Sequence, residues 1–197
     1  MSSAELMTTD EFPTWAEDEE GRWELHDGVA IRITPERADH VRTKGEAAVA
    51  MRLASRHAGC DCEVFGSGLG VQIDQRTVYA PDGAIVWGPK LPDDAILLVN
   101  LIVVVEGLSP STAAIDHGRK LSGYFSLPSV EHYLILDPDR RVVIHHKRGL
   151  GEAIETRVLS AGAVKLEPPG FEVAVEALFL LDRRPTSGGS SDAKIRT

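Results

Sequence analysis

The sequence predicts an α+β or mixed α/β fold, with a central curved mixed β-sheet flanked by helices. Three observations predict it. Strand-like runs outnumber helical ones. Each of the two long helical patterns is flanked by strand-like runs. Residues 97–108 form an apolar stretch rich in Val and Ile, which suits a buried central strand.

In chain order, Thr8 or Thr9 caps a short helix to about residue 17, with Asp10 and Glu11 in its first turn. Strand-like residues 23–26 and 29–33 surround Asp27-Gly28, a dipeptide that favours a tight hairpin turn. From about 36 to 57 the pattern is helical. Val41, Gly45, Ala48, Val49, Met51 and Leu53 fall mostly on one face, and Gly59 ends the helix. Residues 62–65, 69–73 and 83–87 read as three short strands separated by Gly- and Pro-containing turns. After the apolar strand, Ser109-Pro110-Ser111-Thr112 starts a second helix that runs to about residue 125. Residues 132–136 and 142–146 form a hairpin, and short strands follow at 154–159, 164–166 and 171–175. The expected organisation is one domain over residues 1–182, including an acidic N-terminal segment 1–20. A flexible Ser/Gly-containing tail is expected over 183–197.

The chain has 197 residues, 43% hydrophobic and 26% charged, which excludes collagen, coiled coil and wholesale disorder. A membrane-spanning helix needs about 18 apolar residues, and Asn100 interrupts the longest run. The acidic N-terminus lacks the basic-then-apolar order of a signal peptide. Two cysteines do not make a secreted disulfide framework. The expectation is a reduced cytoplasmic protein. Net charge is −9, yet residues 1–27 hold nine acids and one base, so the remaining chain is nearly neutral. A near-neutral body is compatible with nucleic acid where a uniformly acidic one is not.

Four segments place ionisable residues in apolar or turn sequence: Glu24 in the first hairpin, Asp82 after Pro81, Glu106 after Ile102-Val103-Val104-Val105, and Asp116-x-x-x-Lys120 in the second helix. Glu106 is the most informative. A buried carboxylate costs several kcal/mol unless it is paired or bound to a metal. If the strands that hold Asp82 and Glu106 are neighbours, two carboxylates converge at one sheet end. That arrangement suits Mg²⁺ or Mn²⁺ and metal-dependent phosphodiester hydrolysis, with a lysine positioning water or stabilising charge. Each residue also has a plain alternative. Glu24 fits an exposed cross-strand position, Asp82 a turn, Glu106 a solvated strand end, and Asp116 with Lys120 an ordinary i, i+4 helix pair.

The ordered series is more specific than its parts. It runs Trp23-Glu24-Leu25-His26-Asp27-Gly28, then His40 at the opening of a long helix, then Pro81-Asp82. Val105-Glu106-Gly107-Leu108-Ser109-Pro110-Ser111-Thr112 and Asp116-x-x-x-Lys120-x-x-x-Tyr124 follow, and Val130-Glu131-His132-Tyr133-Leu134-Ile135-Leu136-Asp137 closes it. Over about residues 8–180 this resembles the Uma-type family of restriction-endonuclease-like proteins, within the PD-(D/E)XK nuclease superfamily. The resemblance implies a restriction-endonuclease-like core and a Mg²⁺-dependent endonuclease acting on DNA, with Mn²⁺ as a substitute ion, in a homodimer. It implies Asp82 and Glu106 as metal carboxylates, the Gly107 backbone carbonyl as a further metal ligand, Lys120 as the catalytic lysine and Glu24 as an auxiliary acid. Two departures stand out. The superfamily's usual lysine position is Leu108 here, so the lysine reaches in from the helix, as is typical of the subfamily. Gly107 stands where family members more often have a β-branched residue.

The rival expectation is a non-catalytic binding or assembly protein on the same fold. A metal-free small-molecule enzyme has little support, because there is no strand-to-helix phosphate loop, nucleophile elbow or recognisable Cys-His pair. His57-x-x-Cys60-x-Cys62 has too few ligands for structural zinc, so buried reduced thiols are expected. His145-His146 is expected on a solvated strand edge, and Trp15, Trp23 and Trp87 in packing.

Overall fold

The computed structural model describes residues 6–108 and 115–182. Helix α1 spans Phe12–Asp18. It starts later than the threonines suggested because Pro13, which needs no N–H partner, occupies its first turn. Glu11 instead reaches back and accepts hydrogen bonds from the Thr8 backbone N–H (2.8 Å) and hydroxyl (2.7 Å). Strands β1 (Arg22–His26) and β2 (Val29–Ile33) form the expected hairpin. Asp27 and Gly28 both adopt positive φ, 51° and 85°, which a two-residue turn of this hand requires. A Cβ at Gly28 would also lie 2.8 Å from Leu6 Cβ.

Helix α2 spans Ala38–His57. Its buried residues are His40, Ala47, Met51 and Ser55, whereas Val41, Val49 and Leu53 are at least half exposed. The expected face is therefore corrected. Two stripes on this helix carry apolar residues at helical spacing. His40, Ala47, Met51 and Ser55 make the buried stripe and Val41, Val49 and Leu53 face outward, so of the expected face Met51 is buried.

Four short strands follow instead of three: β3 (Cys62–Gly66), β4 (Val71–Asp74), β5 (Thr77–Tyr79) and β6 (Gly83–Trp87). The three-residue β5 pairs with both β4 and β1, which completes a four-stranded sheet in the order β2-β1-β5-β4. Strand β7 (Leu101–Gly107), helix α3 (Ile115–Ser126), β8 (His132–Asp137), β9 (Val142–Arg148) and β10 (Ile154–Leu159) come next. The main sheet is mixed, in the order β10-β9-β8-β7-β6-β3, and its one parallel pair is β7 with β8. Helix α3 supplies the crossover that a parallel pair needs. The hairpin β11 (Ala163–Leu166) and β12 (Phe171–Ala174) leads into a 3-10 segment, Val175–Asp182. The expected helix start at 109–112 and the tail at 183–197 lie outside the described residues.

Each face of the main sheet has its own core. Ala47 and Met51 of α2 pack with Val103, Val105, Leu134 and Leu178 on one side. Tyr124 and Phe125 of α3 pack with Val104, Tyr133 and Ile135 on the other. A third cluster joins Phe12, Leu25 and Val78, with Trp15 and Trp23 against it. Trp87 is half exposed rather than packed. Arg148 fixes the end of α3: its guanidinium donates to the carbonyls of Phe125, Leu127 and Val130 at 2.8–3.0 Å. Helix ends and their exit turns leave carbonyls short of partners; the Leu127 carbonyl also accepts from the Val130 N–H at 3.1 Å.

Two expectations fail outside the site. Cys60 and Cys62 are joined as a disulfide and are half-buried, not buried reduced thiols. Gly59, at φ 68°, turns the chain out of α2. The chain beyond this turn brings the Cys60 and Cys62 Cα atoms to 5.4 Å, a separation a disulfide spans. His145 is not at a solvated edge. β10 covers the outer side of β9, and His145 is buried beside His132. The imidazoles share a 2.9 Å hydrogen bond, and His132 Nε2–H donates to the Pro168 carbonyl at 2.8 Å. Burial, which disfavours the charged ring, lowers both to about 4.

Candidate active site

The site lies where β6 begins and β7 ends. These strands pair antiparallel, with Gly83 opposite Val105, so Asp82 and Glu106 are brought to the same end of the sheet. The Asp82 backbone N–H donates to the Val105 carbonyl at 3.1 Å, which extends the ladder by one residue. The expected strand adjacency is therefore present.

Glu106 is buried at the end of β7, 6% exposed. Its Oε1 accepts from Lys120 Nζ at 3.2 Å and from the Tyr124 hydroxyl at 2.9 Å. Lys120 and Tyr124 are one turn apart on α3, so both reach the carboxylate from the same helix face. Lys120 Nζ also donates to Glu24 Oε1 at 2.9 Å, and its ammonium lies 5.7 Å from the Tyr79 ring centre. Glu24 takes further hydrogen bonds from the Ala80 N–H at 2.9 Å and from His26 Nε2 at 2.8 Å. The four-stranded sheet thus delivers Glu24, the main sheet Glu106, and α3 the lysine between them.

The electrostatics of the two glutamates diverge. Burial acts on Glu24 to raise its pKa. The His26 hydrogen bond, the Lys120 charge and the Ala80 N–H outweigh burial and hold it down at about 2. Burial is decisive for Glu106. With the nearby Asp82 and Glu24 charges it pushes that carboxyl up to about 8, against the pull of Lys120 and Tyr124. Tyr124 is raised by its own burial and by the Glu106 charge, so it stays a hydrogen-bond donor.

Asp82 is held separately. Its Oδ2 accepts from the Gly107 N–H at 2.8 Å and its Oδ1 from Lys44 Nζ at 2.6 Å. Lys44 belongs to α2 and pairs with Glu36 as well. Each carboxylate is therefore held by a lysine from a different helix. Of the residues singled out from sequence, Glu24, Glu106 and Lys120 share one hydrogen-bonded cluster. Asp82 and Gly107 adjoin it through the β6–β7 pairing. The side chain of Asp116 lies outside the described residues. His40 is buried in the first turn of α2, and its Nε2 has no hydrogen-bond partner among the described residues. Sequence reasoning assigned no role to Lys44, His26 or Tyr124. Only Tyr124 had a signal, its i, i+4 spacing from Lys120.

The donor set fits a hard divalent cation. Two carboxylates and a strand-end carbonyl are all oxygen, and Mg²⁺ takes one or two carboxylates together with water and phosphate oxygens. Burial first, and the Asp82 and Glu24 charges second, raise Glu106, and a cation beside these acids would offset both effects. Among the described residues no group of three or more His, Cys, Asp or Glu side chains gathers for a metal, so any ion must draw ligands from backbone, water or substrate.

Comparison with known proteins gives the family and the fold. The Uma2 family model, described as "Putative restriction endonuclease", matches residues 9–181. A protein from Synechocystis sp., called "Uncharacterized protein slr1290", is 25% identical over 179 residues, covering 88% of this chain and 91% of that one. The crystal structure of a "putative nuclease belonging to DUF820" from Anabaena variabilis superposes with a TM-score of 0.70 at 17% identity. That match covers 88% of this chain and 98% of the other, and establishes the restriction-endonuclease-like fold.

Proposed function

The chain belongs to the Uma2 family, and from that premise we propose that it is a Mg²⁺-dependent endonuclease that hydrolyses DNA phosphodiester bonds. The observation that carries this is the buried Glu24–Lys120–Glu106–Tyr124 cluster beside Asp82. Catalysis gives a reason for burying two glutamates with one lysine, since burial of charge is weak evidence for stability alone. In this proposal Asp82, Glu106 and the Gly107 carbonyl hold the metal. The ion, when bound, polarises the phosphate and makes a bound water more acidic. Lys120 is held by Glu24 so that its ammonium faces the reacting phosphate and offsets developing negative charge. Tyr124 and His26 fix the two glutamates through their hydrogen bonds.

The test is cleavage of supercoiled plasmid DNA with Mg²⁺ or Mn²⁺, comparing the wild type with Glu106→Gln. Glu106→Gln keeps the side-chain volume and a hydrogen-bond acceptor for Tyr124, and is expected to lower the nicking rate at least a hundredfold. Equal rates in the two proteins would remove Glu106 from the chemistry. One observation favours a non-catalytic binding or assembly role: Asp82 and Glu106 are each paired with a lysine, Lys44 and Lys120.

A further inference from the structure

Lys44 has no role in the proposed chemistry, yet it meets two site residues, Asp82 and Gly107, and pairs with Glu36. It extends from the inward face of α2, where its neighbours are His40, Ala47 and Met51. A lysine on that face needs a reason. Its ammonium pairs with Asp82 Oδ1 at 2.6 Å and with Glu36, which lies just before the helix. The stem crosses directly over Gly107: a Cβ there would lie 3.0 Å from Lys44 Cε. Gly107 is extended backbone, so no positive φ calls for glycine at this position. The space for Lys44 is a sufficient reason for it. Lys44 and Asp82 also line a small pocket with Ala48, Met51 and Phe65.

The Gly107 N–H occupies the other oxygen of Asp82. A divalent cation on Asp82 therefore meets the Lys44 ammonium at the same carboxylate, and like charges that close repel. Glu36 offers the displaced ammonium a second acceptor that it already touches.

We propose that Lys44 is a positioning residue that holds Asp82 while no metal is bound and yields it to an arriving divalent cation. Glu36 retains the displaced ammonium, and Gly107 leaves the space in which the stem lies. This rests on Asp82 being a metal carboxylate, as proposed above.

The experiment is Mn²⁺ titration by calorimetry on the full chain, with thermal melts of the same samples. Lys44→Met is expected to bind Mn²⁺ at least tenfold tighter than wild type. Without metal its melting temperature falls, and Mn²⁺ restores it by a larger shift than in wild type. A merely structural lysine would not have its loss repaired by an ion. Glu36→Gln weakens binding about threefold when Lys44 is present and has no effect in the Lys44→Met background. Gly107→Ala crowds the stem and tightens binding, again only when Lys44 is present. Binding to wild type that Lys44→Met leaves unchanged or weakens overturns the role of Lys44 alone. A Glu36→Gln effect equal in both backgrounds overturns the retaining role of Glu36. No Mn²⁺ binding by any variant, with or without DNA, overturns both this proposal and the metal assignment of Asp82.

Discussion

Lys120→Ala is expected to abolish DNA cleavage and to lower stability at the same time. The ammonium is the shared partner of Glu24 and Glu106, and all three side chains are less than a tenth exposed. Removing one partner of a buried charge pair costs about 3–5 kcal/mol, because the remaining charge is left without compensation. For a chain of this size each kcal/mol shifts the melting temperature by roughly 2–4 °C, so the shift expected is about 6–20 °C. Lys120→Met fills more of the vacated space and is expected to recover part of the stability but none of the cleavage. Thermal melts with plasmid nicking on both variants separate the two effects. Cleavage at the wild-type rate in a folded Lys120→Met protein would exclude a chemical role for the lysine.

The second large effect is on acid stability. Glu24 is held at about 2, below its ordinary 4.5, so folding favours its ionised form. The stability this supplies is complete above about pH 4.5 and is lost as pH falls through about 2. The difference between the two values corresponds to about 3 kcal/mol. Urea unfolding between pH 7 and pH 2 is expected to show Glu24→Gln less stable than wild type by about that amount at pH 7. The gap closes as acid protonates wild-type Glu24. A gap that stays constant down to pH 2 would mean that the lysine and histidine contacts do not favour the charged carboxylate. Glu106 acts in the opposite direction, its raised value making stability fall as pH rises through about 8. The acid limb is therefore the cleaner place to observe Glu24.

Most of this site was legible in the sequence because its residues break local patterns. Glu106 ends a run of β-branched residues, Asp82 follows a proline before an apolar strand, and Glu24 stands in a hairpin whose turn is explicit. Such interruptions mark where burial and charge conflict. What escaped was set by packing across the chain. The short strand Thr77–Tyr79 exists because β1 and β4 both pair with it, and three residues carry almost no periodic signal. The buried face of α2 could not be chosen from spacing, since Val41, Val49 and Leu53 repeat as helically as His40, Ala47 and Met51 do. Lys44 was invisible for the same reason. Its meaning depends on the stem crossing a glycine 63 positions later in the chain. The burial of His145 depends on the strand outside it and on a hydrogen-bonded partner, His132, from the neighbouring strand.

Asp82 and Glu106 as holders of a divalent cation are tested by calorimetric titration of Mn²⁺ into wild type and Asp82→Asn. One ion bound per wild-type chain and no binding to Asp82→Asn is the expected result. Asp82→Asn that binds Mn²⁺ as tightly as wild type, or wild type that binds none up to millimolar concentration with or without DNA, would contradict it.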